Sequence, residues 1–100
     1  MPFDNPFPRS FTEPSMRANA PAVSGVYGIS NAREWICIGE SDDIQAALLW
    51  HLHEQDTDLL KHGPTGFVFE VCDRAKRPAR QNRLVFEYEP SCNRYWSRHR

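Results

Sequence analysis

The sequence predicts an α+β domain, in which a small antiparallel β-sheet is flanked by helices in the order ββααβα. Two runs rich in β-branched and aromatic residues are joined by a short polar turn, and a segment with helical apolar spacing follows them. A third apolar run then precedes a last helical segment that ends at a proline. A length of 100 residues is enough for one domain with a single modest core.

Three strands are predicted from composition. Residues 23–29 (VSGVYGI) form the first, residues 30–33 supply a turn, and residues 34–38 (EWICI) return as the second. Residues 66–72 (GFVFEVC) are mostly apolar. This third run is therefore predicted to be a central strand that is buried on both faces.

The first predicted helix follows the second strand. Ser41 is expected to be its N-cap, with Asp42 and Asp43 in the first turn, where negative charge complements the helix dipole. Four residues recur at the spacing of one buried helical face: Ile44, Leu48, His51 and Leu52.

Two further helices complete the predicted order. A short one spans Thr57 to Lys61 and ends at Gly63-Pro64. The last spans Arg77 to Glu89 and stops before Pro90. Its candidate inward residues are Ala79, Leu84 and Val85.

The chain divides into three segments by composition. Residues 1–22 hold five prolines interspersed with phenylalanines, which predicts an extended arm without helix or central strand, with its phenylalanines packed onto the domain or a partner subunit. Residues 23–93 form the domain itself, and residues 94–100 form a basic tail.

Charge is distributed unevenly along the chain. Residues 34–72 carry eight acidic residues against one lysine, and residues 73–100 carry eight basic residues against three acidic ones. This division can produce a basic face that contacts phosphates, for which Arg77, Arg80 and Arg83 are the candidates. The alternative is a solvated helix surface without a ligand.

The number and spacing of the cysteines and the length of the apolar runs indicate the cellular compartment. Cys37, Cys72 and Cys92 are odd in number and lack CxxC spacing, which predicts reduced thiols in a cytoplasmic protein. No apolar run approaches the roughly 20 residues that a membrane helix needs, so no membrane contact is expected.

Three stretches together carry a family resemblance: GVYGISN, WICIGESDDIQAALLWHL and RQNRLVFEYEPSCN. In order and spacing, from about residue 24 to 93, they resemble the GIY-YIG endonuclease domain. The resemblance implies hydrolysis of a phosphodiester with one divalent metal ion, a nucleophile-activating tyrosine and a charge-stabilising arginine, which are the elements that such hydrolysis needs.

Individual positions depart from that pattern. Tyr27 corresponds to the first tyrosine of the family, and His51 to a histidine that follows the helical arginine. Cys37 stands at the second tyrosine, Ala47 at the arginine and Gln81 at the glutamate that holds the metal. A neutral amide is a weak substitute for a carboxylate at a hard cation.

The function predicted from these residues is that of a degenerate GIY-YIG-like domain without catalysis. It would bind an unknown protein partner or a second copy of itself as a homodimer, or nucleic acid weakly. The alternative is a divergent endonuclease that retains Tyr27 and His51 and uses Mg²⁺ or Mn²⁺; otherwise no cofactor or metal site is expected. A thiol nucleophile formed by Cys37 with His51 as its base is a further hypothesis, against a buried cysteine that only packs.

Overall fold

The computed structural model describes Phe3, residues 7–53 and residues 57–91. Its elements, in chain order, are β1 (Arg9–Ser10), α1 (Glu13–Asn19), β2 (Gly25–Ser30), β3 (Trp35–Ser41), α2 (Ile44–His53), α3 (Thr57–Lys61), β4 (Gly66–Val71) and α4 (Arg77–Tyr88). The predicted ββααβα order is confirmed for the last six elements; the bounds of α3 agree with the prediction, and the other boundaries differ by at most three residues. Among the described residues, none of the helices is long and apolar enough to cross a bilayer.

The four strands form one antiparallel sheet in the order β1-β4-β2-β3. β2 and β4 are the inner strands, which confirms the central position predicted for residues 66–72. The predicted burial on both faces is wrong for the second half of β4, where Val71 is 62% exposed. In the β2–β3 hairpin Tyr27 lies opposite Gly39 and Ile29 opposite Cys37, so these four residues share one face of the sheet.

A helix interrupts the N-terminal segment. α1 begins after the N-cap Thr12, whose Oγ1 accepts a hydrogen bond from the backbone N–H of Ser15, and Pro14 lies in its first turn, where a missing N–H costs nothing. The prediction of an extended arm without helix over residues 1–22 is therefore wrong for residues 13–19. Phe3 and Phe11 are buried, as expected of packed phenylalanines, whereas Phe7 is exposed.

The start of α2 also differs from the prediction. Asp43, and not Ser41, occupies the N-cap position, because its Oδ1 accepts a hydrogen bond from the N–H of Ala46. Ser41 Oγ instead accepts from the N–H of Asp43, which holds the turn before the helix. The predicted apolar face is confirmed by Ile44, Leu48 and His51, which are all buried.

Two apolar clusters cover the two faces of the sheet. The larger one brings α1 and α2 onto one face, with Met16, Ile29, Cys37 and Leu48 among its fully buried members. The smaller one packs α4 onto the other face through Leu84, joined by Phe3, Val26, Ile38 and Val68. On α4, Val85 packs against this cluster as expected, whereas Ala79 is exposed and not inward as predicted.

Candidate binding cleft

A cleft of about 580 Å³ lies between α2 and α4, beside the β2–β3 hairpin. α2 contributes one wall and the first half of α4 contributes the other, and the hairpin supplies the floor. Its lining residues are Tyr27, Gly39, Glu40, Ala47, Trp50, His51, Pro78, Gln81 and Asn82. Five positions of the sequence were compared with the family pattern. Four of them come together at this site: Tyr27, Ala47, His51 and Gln81.

Tyr27 and His51 form a hydrogen-bonded pair on the floor of the cleft. Tyr27 Oη lies 2.8 Å from His51 Nε2, and the two side chains are only 6% and 4% exposed. Gly39 makes this placement possible, because a Cβ at that position would lie 2.5 Å from Tyr27 Oη. The ring of Tyr27 thus lies directly over the backbone of β3, and His51 holds its hydroxyl.

Gln81 faces the edge of the sheet. Its Nε2 donates a hydrogen bond to the carbonyl oxygen of Ile38 over 3.0 Å. β3 is an edge strand, so the amide of Gln81 ties α4 to a backbone group of that strand. A carboxylate could not make this bond, because it has no proton to donate.

Cys37 is absent from the cleft lining. It is fully buried in the apolar cluster on the α1 and α2 face, close to Ile29 and Leu48. The structure thus favours a small packing residue over the thiol nucleophile considered from the sequence, because a nucleophile has to reach a substrate.

Two arginines of α4 pair with acidic side chains of β3, β4 and the turn after β3. Arg77, which is almost fully buried, donates from Nε to Glu40 Oε1 at 3.2 Å and from Nη1 to Asp42 Oδ1 at 2.6 Å. Arg80 donates from Nε and Nη2 to the two carboxylate oxygens of Glu70. Two of the three arginines proposed as phosphate ligands are therefore engaged within the chain, and Arg83 is exposed.

The ion pair of Asp42 has a consequence for acid stability. The hydrogen bond from Arg77, together with its positive charge, lowers the pKa of the Asp42 carboxyl. A carboxyl whose pKa is lower in the folded chain than in the unfolded chain stabilises the fold at pH values above its unfolded-state pKa of about 3.9. This stabilisation is lost as the pH falls through the pKa of the folded state.

We therefore expect Asp42→Asn to flatten the loss of stability on acidification below about pH 4. Urea unfolding of the unmodified chain and of Asp42→Asn, followed from about pH 5 to about pH 2.5, measures this difference. Parallel stability curves for the two chains over that range would contradict it.

Solved structures identify the architecture that surrounds the cleft. The chain resembles the GIY-YIG N-terminal endonuclease domain of UvrC from Thermotoga maritima bound to its catalytic divalent cation, magnesium, with a TM-score of 0.65, 22% identity, and coverage of 76% of this chain and 92% of that chain. A point mutant of that domain, also bound to its catalytic divalent cation, gives a TM-score of 0.64 and 22% identity over 76% and 91% of the two chains. The chain has a GIY-YIG-like fold. No family model matches the sequence, and a search of curated proteins finds no significant match.

The GIY-YIG resemblance implies a divalent cation held by a carboxylate at position 81, and the side chains of this cleft do not fit one. Hard cations take several oxygen ligands and favour carboxylates. Gln81 supplies an amide that donates to Ile38, and Glu40 is the one carboxylate among the described lining residues. Within the described part of the chain, no group of three or more His, Cys, Asp or Glu side chains is placed to hold a metal.

Sequence reasoning missed some of the residues that shape this GIY-YIG-like cleft. Trp50 is not among the residues predicted for the site, yet it lines the cleft and is 55% exposed. Pro78 and Asn82 lie three residues before and one residue after Gln81 on α4. Helical spacing places Ala47 and Trp50 on adjacent turns, and this spacing is the signal that could have joined them to one site.

Proposed function

We propose that this domain is a non-catalytic binding module that uses a GIY-YIG-like fold to hold a protein partner at the cleft. The hydrogen bond from Gln81 Nε2 to Ile38 O carries the proposal, since it gives a structural role to the position where the resemblance implies a metal-binding glutamate. Ala47 lines the same cleft with a methyl group, so the charge-stabilising arginine has no equivalent there.

A protein partner is favoured over nucleic acid by the ion pairs around the cleft. Arg77 contacts Glu40 and Asp42, and Arg80 contacts Glu70. Binding phosphates with these guanidinium groups would require breaking pairs that are partly buried, which is costly. The exposed indole of Trp50 at the rim is typical of the aromatic residues that anchor protein interfaces.

The first test is a nuclease assay. We expect the purified chain not to cleave branched or single-stranded DNA with Mg²⁺ or Mn²⁺, because losing a charge-stabilising group alone costs about 10²–10³ in rate and the cleft also lacks a fitting metal ligand. Gel analysis of end-labelled DNA measures this. Tyr27→Phe is the matched control, because it removes only the hydroxyl that contacts His51.

Cleavage by the unmodified chain that disappears in Tyr27→Phe would contradict the proposed function. Cleavage that persists equally in both chains marks a contaminating nuclease. A salt titration with duplex and single-stranded oligonucleotides tests the preference for a protein partner over nucleic acid. Contacts with phosphates would appear as a steep loss of affinity as the salt concentration rises.

One observation favours the alternative of a divergent metal-dependent endonuclease. Tyr27 and His51 lie 2.8 Å apart on the floor of the cleft, so a hydroxyl with an adjacent base is present where the resemblance implies activation of a nucleophile. The nuclease assay with Tyr27→Phe separates this alternative from the binding function.

A further inference from the structure

The charged side chains at the cleft are mainly acidic. Among the described lining residues, Glu40 is the one Asp, Glu, Lys or Arg. The nearest guanidinium, that of Arg77, is shared between Glu40 and Asp42, so two carboxylates face one buried cation. Arg74 approaches Asp42 only at 3.9 Å and is itself 82% exposed, which leaves its charge well screened by solvent.

The shape of the cleft adds a second constraint. Ala47 leaves space on the α2 wall, and Trp50 follows it by three residues with its indole partly in solvent. On the opposite wall Gln81 and Asn82 supply amide groups. The cleft therefore combines a carboxylate, an aromatic surface and carboxamides around open space.

We propose that the cleft binds an arginine side chain of a protein partner, an inference that rests on the proposed non-catalytic function. A guanidinium is planar, pairs with carboxylates through parallel N–H groups and stacks on aromatic faces. Glu40 provides the carboxylate and Trp50 the aromatic face. A phosphate would instead meet the negative charge of Glu40, with the nearest arginine already paired.

The probe for this site is N-acetyl-arginine amide, titrated into the ¹⁵N-labelled full chain at neutral pH. We expect chemical-shift changes at the indole N–H of Trp50 and at the side-chain amides of Gln81 and Asn82, with millimolar affinity. The isosteric but uncharged N-acetyl-citrulline amide should bind at least about tenfold more weakly, since its urea group cannot form a charged pair. Inorganic phosphate and the dinucleotide TpT should leave these signals unchanged.

Two substitutions form a matched pair. Glu40→Gln removes the carboxylate that lines the cleft and should weaken arginine binding about tenfold. Glu87→Gln makes the same change at an exposed position of α4 outside the cleft lining, so it should leave the affinity within about twofold. Trp50→Ala should weaken binding about threefold or more.

Four results would overturn the arginine site: no binding of the arginine probe, equal binding of citrulline, equal loss in Glu40→Gln and Glu87→Gln, or phosphate and TpT shifting the same signals. The two proposals can be disproved independently. Cleavage of DNA that Tyr27→Phe abolishes would disprove the non-catalytic function, whereas the titration alone decides whether the cleft prefers a cationic ligand.

Discussion

Replacing Met16 with alanine is expected to lower the free energy of unfolding by about 2–5 kcal/mol. Met16 is fully buried on α1, within the cluster that also contains Leu48 of α2 and Phe67 of β4. Truncation would leave a cavity in the larger apolar cluster and remove the contacts that hold α1 against α2. The effect would show that the N-terminal segment is part of the core and not a dispensable arm.

Urea unfolding followed by tryptophan fluorescence measures this loss. Ala18→Gln is the matched control on the same helix, because Ala18 is exposed and glutamine is helix-compatible, so a change within about 0.5 kcal/mol is expected. If Met16→Ala were no more costly than Ala18→Gln, α1 would not contribute to the stability of the core.

Gly39→Ala is expected to lower the free energy of unfolding by about 2–5 kcal/mol and to disturb the floor of the cleft. The new Cβ would lie 2.5 Å from Tyr27 Oη and 2.6 Å from Tyr27 Cζ, too close for any carbon atom. The ring has to move, and its hydrogen bond to His51 breaks with it. Overpacking and the loss of a buried hydrogen bond then add to the cost.

A double-mutant cycle isolates this cause. Tyr27→Leu removes the ring, so Gly39→Ala in that background should cost at least about 1 kcal/mol less than in the unmodified chain. Tyr27→Phe serves as a second reference, because it deletes the hydroxyl without moving the ring. Equal costs of Gly39→Ala in the two backgrounds would show that the penalty comes from the backbone of β3 and not from Tyr27.

The elements with a clear periodic pattern are predicted correctly from the sequence, whereas α1 is not. The density of prolines in residues 1–22 predicts a segment without helix. Pro14, however, lies in the first turn of α1, which tolerates proline, and Thr12 caps the helix. The segment TEPSMRAN contains both signals, so local position mattered more than overall composition.

The site was predicted in part. Tyr27, Ala47, His51 and Gln81 do meet around one cleft, but Cys37 lies in the core, because burial depends on how α1 and α2 pack over the strand. The pairing of Arg77 and Arg80 with acidic side chains could not be predicted for a related reason. Arg77 reaches Glu40, which is 37 residues away in sequence, and a linear charge pattern contains no information about such pairing.

The bond between Gln81 and Ile38 also limits how this cleft can change over evolution. A single substitution to glutamate would set a carboxylate against a backbone carbonyl, two acceptors with no proton between them. The edge of β3 would lose a donor that now covers one of its carbonyl groups, and exposed strand edges are where β-sheets associate incorrectly. A change to a metal-binding glutamate at this position would therefore be expected to give a less stable, more aggregation-prone chain unless another side chain first bonds to the carbonyl of Ile38.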